Sequence, residues 1–154
     1  MKTIEQFEGM IESLPKLLGR LESGPAMSRD DLGDVPKRGI YAFYEKGEPI
    51  YVGRSSNMRA RLMSHGRRSS DHHSATFAFL LAVKDAKRQG IDTSASRDEL
   101  QQNPDFEPIY LSSKIRVSQM KIRAVEVEDA IGQTVFEVYA ALALKTPHNT
   151  FENH

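Results

Sequence analysis

Gly39-Ile40-Tyr41-Ala42-Phe43-Tyr44-Glu45-Lys46-Gly47-Glu48-Pro49-Ile50-Tyr51-Val52-Gly53 is the stretch on which the fold turns. Its first six residues and its last four are mostly β-branched or aromatic, the side chains that suit a pleated, half-buried surface. Between them, Glu45-Lys46-Gly47-Glu48-Pro49 has the charge, glycine and proline of a turn. Two β runs about a short glycine-containing turn predict an antiparallel hairpin. Tyr41 and Tyr51 then lie on adjacent strands and can share one face. Gly39 and Gly53 flank them, and glycine in a strand lets a second backbone or a ligand come close.

Upstream, Ile4, Phe7, Ile11, Leu14, Leu18 and Leu21 recur every three or four positions, which predicts helix over residues 3–22. Pro15 predicts a split into two short helices, with the proline in the first turn of the second. The apolar stripe either covers the core or joins two copies in a homodimer through the N-terminal helices. Residues 23–38, rich in Gly, Pro and Asp, read as a connecting loop.

Downstream, Ser55 or Ser56 can cap a helix from about Asn57 to His65, and Ser74 one from Ala75 to about Gln89 that Gly90 ends. Residues 90–113 are polar and hold two prolines, which predicts a long surface loop with one helical turn near Arg97 to Gln101. Lys114 to Val127 reads as a third strand, and a slip in its alternation between Ser118 and Val125 suggests a bulge or a strand end. Glu128 or Asp129 starts a last helix, with Ile131, Val135, Val138 and Leu142 at helical spacing, and Thr146-Pro147-His148-Asn149 stops it. The fold class is α+β: a small three-stranded antiparallel or mixed sheet flanked by helices, with extra N-terminal helices. Residues 1–36 read as a helical extension and 37–154 as the body of one compact domain.

The 154 residues hold 21 basic and 21 acidic side chains, a formal net charge of zero. Non-specific phosphate binding draws on excess Lys and Arg, so a nucleic-acid partner requires positive charge concentrated locally. Tyr51 to Ser70 supplies it: Arg54, Arg59, Arg61, Arg67 and Arg68 stand there with no acid among them. Cysteine is absent, which excludes disulfides, thiolate zinc sites and cysteine nucleophiles. The N-terminus carries acids where a signal peptide has an apolar run, and the longest apolar stretch, Ala75 to Val83, falls far short of the roughly 20 residues of a membrane span. A cytoplasmic protein without membrane contact is expected. His72 and His73 have only Asp71 as a nearby carboxylate, which argues against a closed zinc site and for a loop before Ser74.

Arg61 lies eight residues past Gly53, and His65 one helical turn further on the same helix face. Glu137 falls in the last helix and Asn149 just past its end. In this order, across residues 38–150, Gly39-Ile40-Tyr41, Tyr51-Val52-Gly53, Arg61, His65, Glu137, Pro147 and Asn149 resemble the GIY-YIG nuclease superfamily. Val52 stands in for the isoleucine of the second motif. The ending, Glu137-Val138-Tyr139-Ala140-Ala141-Leu142 and then Thr146-Pro147-His148-Asn149, is similar to small stand-alone bacterial or phage members.

The resemblance implies a metal-dependent endonuclease that hydrolyses phosphodiester bonds in DNA. Tyr41 would orient or deprotonate the attacking water, and Tyr51 would hydrogen-bond that water or the phosphate. A phenol with an ordinary pKa of about 10 needs a nearby cation for such a role. Arg61 would clamp the phosphate with its planar fork of donors. His65 would shuttle a proton or donate to the phosphate. Glu137 would hold one Mg²⁺ or Mn²⁺, an ion that keeps waters beside a single carboxylate. Asn149 would bond near the phosphate or fix the end of the Glu137 helix. Arg54, Arg59, Arg67 and Arg68 would contact nucleic acid. An RNA nuclease shares this chemistry. The neutral total charge and the lack of a separate recognition domain keep a non-catalytic nucleic-acid-binding or protein-interaction module as the alternative.

Overall fold

A computed structural model describes residues 2–152, so the last two positions of the C-terminal tail lie outside it. In chain order the elements are α1 (Thr3–Ser23), β1 (Met27–Ser28), β2 (Gly39–Glu45), β3 (Glu48–Ser55), α2 (Met58–His65), α3 (Thr76–Arg88), α4 (Arg97–Gln102), α5 (Glu107–Ser118), β4 (Lys121–Glu126) and α6 (Ala130–Leu144). The protein is α+β, with one four-stranded antiparallel sheet and six helices among the described residues. Two compact units divide the chain: Met1–Arg59 with Lys121–His154, and Ala60–Met120.

The first unit is built on the sheet, whose strand order is β1-β4-β2-β3. The expected hairpin is β2–β3. Its two-residue turn places Lys46 (φ 54°) and Gly47 (φ 81°) in the left-handed region, matching the twist of the flanking strands. The pairing slips between Phe43 and Tyr44 within this hairpin, whereas the broken alternation between Ser118 and Val125 marks a strand end, since β4 begins at Lys121. Ile40, Ala42, Tyr44, Val52 and Val125 turn one face of the sheet toward Leu14 and Leu21 of α1 and Phe136, Ala140 and Ala141 of α6, forming one apolar core. Tyr41 and Phe43 alternate with those residues and face the other way.

Three expectations need correction here. The sheet has four strands, not three, because Met27 and Ser28, inside the segment read as loop, pair with Ile122 and Lys121; two residues are too few to give a periodic signal. The N-terminal helices are one helix, with Pro15 inside it. Pro15 is exposed, so water can take the Ile11 carbonyl that loses its donor. The stripe on α1 divides: Leu14 and Leu21 are buried, whereas Ile4, Phe7 and Ile11 are 61%, 45% and 46% exposed.

The second unit is helical. The loop expected over residues 90–113 contains α4 and the first half of α5, and the strand expected from Lys114 begins only at Lys121. Ser96 caps α4 by accepting the Glu99 N–H at 3.2 Å, a half of a capping box in Ser96-Arg97-Asp98-Glu99. Pro108 sits in the first turn of α5, where a missing N–H costs nothing. Tyr110, Ser113, Lys114 and Val117 then form a buried stripe at helical spacing. Phe79 of α3 packs against Phe106 and Tyr110, with ring centroids 5.3 and 5.4 Å away. Ser74 does not cap α3; Ala75 holds that position without a side-chain bond. No helix among the described residues is long and apolar enough to cross a membrane.

Candidate active site

In the sheet unit, backbone register fixes the two motif tyrosines. Tyr41 stands opposite Gly53 on β3 and Ala124 on β4, and Tyr51 stands opposite Phe43. Tyr41 and Tyr51 are therefore diagonal neighbours on one face of the hairpin. The Tyr41 ring lies across Gly53: a methyl group at position 53 would fall 2.3 Å from the hydroxyl oxygen and 2.4 Å from Cζ. Phe43 meets the same ring edge-on, with centroids 5.6 Å apart. Tyr41 is 1% exposed, while Tyr51 is half-buried. Gly39 serves a different approach. A methyl there would lie 1.9 Å from the Val125 carbonyl oxygen, so its neighbour is the β4 backbone and not a ligand.

Glu137 is half-buried on α6, between buried Phe136 and exposed Val138. Burial pushes its carboxyl pKa above the ordinary value, and the positive charge of Arg54 pulls it partly back. A carboxylate short of water in this way is stabilised by an added cation.

Asn149 pairs with the backbone of Val52, the middle residue of the second motif. Its Oδ1 accepts the Val52 N–H at 2.8 Å and its Nδ2 donates to the Val52 carbonyl at 2.8 Å. Thr146 Oγ1 donates to the same Oδ1 at 2.9 Å, and the His148 N–H reaches the Ile50 carbonyl at 3.3 Å. β3 is an edge strand, so these bonds cover polar groups that lack a strand partner. Of the two roles expected for Asn149, the geometry fits the second. It ties the chain after the Glu137 helix to the strand that carries Tyr51.

The remaining site residues belong to the helical unit, which helix α2 enters after Arg59. The Arg61 guanidinium donates to the carbonyls of His73 (3.4 Å) and Ser74 (3.2 Å) and to Thr76 Oγ1 (2.8 Å). This fork holds the loop that leads into α3 with three of the five N–H donors that a guanidinium carries. His65 is fully buried, and burial, helped by the charge of Arg61, lowers its pKa to about 3. It is neutral near pH 7 and brings no positive charge to a phosphate. Arg67 and Arg68 are exposed, as are Arg54 and Arg59 of the sheet unit, where Arg59 Nη2 donates to the Gly33 carbonyl at 2.7 Å.

The structure thus places Tyr41, Tyr51, Gly53, Glu137 and Asn149 in one unit, with the two tyrosines on the sheet face opposite the core that α6 covers. In the other it gives Arg61 a role in holding the loop before α3, and it buries His65. Sequence reading missed a further group, His72, His73 and Asp98, whose donor atoms lie within 4.8 Å of one another. The Ser96 cap was the available signal, because it places Asp98 in the first turn of a helix. Comparison with protein-family models, with curated proteins and with solved structures gives no match for this chain.

Proposed function

We propose that the chain is a metal-dependent endonuclease of the GIY-YIG type, with DNA as its substrate. The observation that carries this reading is the register of the hairpin, in which Tyr41 of the first motif lies across Gly53 of the second, with Tyr51 diagonal to it. The Asn149 clasp supports it by fixing the Tyr51 strand to the segment after the Glu137 helix.

Within this reading, Tyr51 is the better-placed hydroxyl for water or phosphate, because it is half-exposed where Tyr41 is sealed. Tyr41 orients the hairpin around it. Glu137 would hold one Mg²⁺ or Mn²⁺: a half-buried carboxylate with a raised pKa fits a cation that keeps its waters. When bound, that ion supplies charge neutralisation at the phosphate. Arg54, Arg59, Arg67 and Arg68 would contact the nucleic-acid backbone, and Arg61 would clamp the phosphate. A homodimer through α1 would cover Ile4, Phe7 and Ile11; sedimentation of wild type and Phe7→Ser checks this, and monomeric wild type discards it.

The test is cleavage of plasmid, branched DNA and RNA with Mg²⁺ or Mn²⁺. Glu137→Gln, Arg61→Ala and Tyr51→Phe are each expected to lower the rate by on the order of 100-fold or more. Equal activity in all four proteins would sink the assigned residues. A second reading, binding without cleavage, draws on the sealed Tyr41 and the committed Arg61 fork. Salt-sensitive binding of DNA or RNA with no metal-dependent product favours it.

A further inference from the structure

We infer that His72, His73 and Asp98 form a binding site for a divalent transition-metal ion, with zinc the best fit, independent of Glu137. The three side chains come from two places: the loop before α3 supplies the histidines and α4 supplies the carboxylate. His72 Nε2 lies 2.6 Å from Asp98 Oδ1, the two imidazole rings stand 4.0 Å apart, and one donor atom from each residue falls within 4.8 Å of the others.

The donor set matches the ion. Two imidazoles and one carboxylate are ligands that zinc takes in sites with a fourth position open. Zinc holds such atoms at about 2.0–2.2 Å, so three donors around it sit roughly 3.3 Å apart. Reaching that spacing means opening the His72–Asp98 contact and drawing His73 inward. The side chains that must move are free to do so: Asp98 is 79% exposed and His73 is exposed. Their exposure also leaves water the open position.

The fixed member is His72. Its side chain is 5% exposed, and its Nδ1 is buried with no hydrogen-bond partner among the described residues. The ring leans on Phe79 at 5.6 Å, and its backbone N–H donates to Gln101 Oε1 of α4 at 2.7 Å. The loop around it is held independently. Asp71 Oδ1 accepts the N–H groups of His73 and Ser74, and Arg61 holds the carbonyls of the same two residues. An anchored imidazole beside two mobile donors is a site that closes on an ion and ties the loop to α4.

The test is zinc titration of tag-free full chain by calorimetry, with Co²⁺ absorption reporting the ligand set. One equivalent of zinc is expected to bind and to raise Tm by several degrees. His73→Ala and Asp98→Asn, both at exposed positions, are each expected to weaken binding at least about 10-fold and to remove the Tm rise. Glu137→Gln is expected to leave zinc binding intact, which separates this site from the nuclease proposal. Absence of zinc binding, or binding that neither His73→Ala nor Asp98→Asn weakens, overturns the inference, as does binding lost in Glu137→Gln.

Discussion

The sheet unit and the helical unit fix their polar groups by different means. In the sheet unit, strand register positions them: Tyr41 is set by the absence of a side chain at Gly53, and Asn149 by two bonds to one residue of β3. In the helical unit, long side chains reach into an irregular loop. Arg61 takes the carbonyls of His73 and Ser74, Lys114 Nζ takes those of Arg68 (2.5 Å) and Ser70 (2.9 Å), and the Tyr110 hydroxyl donates to Ser70 at 3.2 Å. Buried carbonyls must find donors. A sheet finds them in its neighbours, whereas a loop depends on cations and hydroxyls sent from helices. Donors of basic residues in the helical unit are therefore partly committed to folding, and a count of arginines overstates the donors left for a partner.

The largest expected effects break the sheet side. Gly39→Ala drives a methyl group into the Val125 carbonyl, a backbone atom that cannot step aside, and should cost about 4 kcal/mol or prevent folding. Gly53→Ala meets a side chain instead and should cost about 3 kcal/mol, part of which Tyr41→Ala returns in a double-mutant cycle. Additive costs in that cycle would mean that the ring does not occupy the space above Gly53.

The next effect belongs to the helical side and depends on pH. The folded pKa of His65, about 3, lies below its unfolded value of 6.5, so the unfolded chain takes up the proton first. The stability tied to the neutral ring is complete above about pH 6.5 and is lost as pH falls toward 3, by on the order of 4 kcal/mol. Urea unfolding across this range measures it, and His65→Gln should flatten that part of the profile. An unchanged profile would show that another group governs the acid limb.

Asn149→Ala should cost about 2 kcal/mol, since it removes three bonds, one of them from Thr146, and leaves an edge-strand N–H and C=O without partners. Amide exchange at Val52 should speed up in this variant. A protected Val52 would place the clasp elsewhere.

The hairpin, the last helix and its Asp129 cap were legible because each has a local signal. The turn has a glycine, the helix has a period, and the Asp129 side chain accepts the Gly132 N–H. Residues 90–120 were misread because Pro104 and Pro108 look like breakers in sequence, although a proline in the first turn belongs to a helix. β1 could not be read, since two residues pair only once β4 is in place beside them. For the candidate site, the spacing of Tyr41, Tyr51 and Glu137 was visible. The commitments of Arg61 and Asn149 were not, because their partners lie 12 or more residues away in sequence and depend on tertiary structure.

Anomalous diffraction from crystals soaked in Mn²⁺ tests the proposed role of Glu137 as the metal ligand of a nuclease. An anomalous peak is expected beside the Glu137 carboxylate of the wild type and absent in Glu137→Gln, with cleavage lost in the same variant. A Glu137 carboxylate without an ion at high Mn²⁺, in a protein that still cuts DNA, would contradict it.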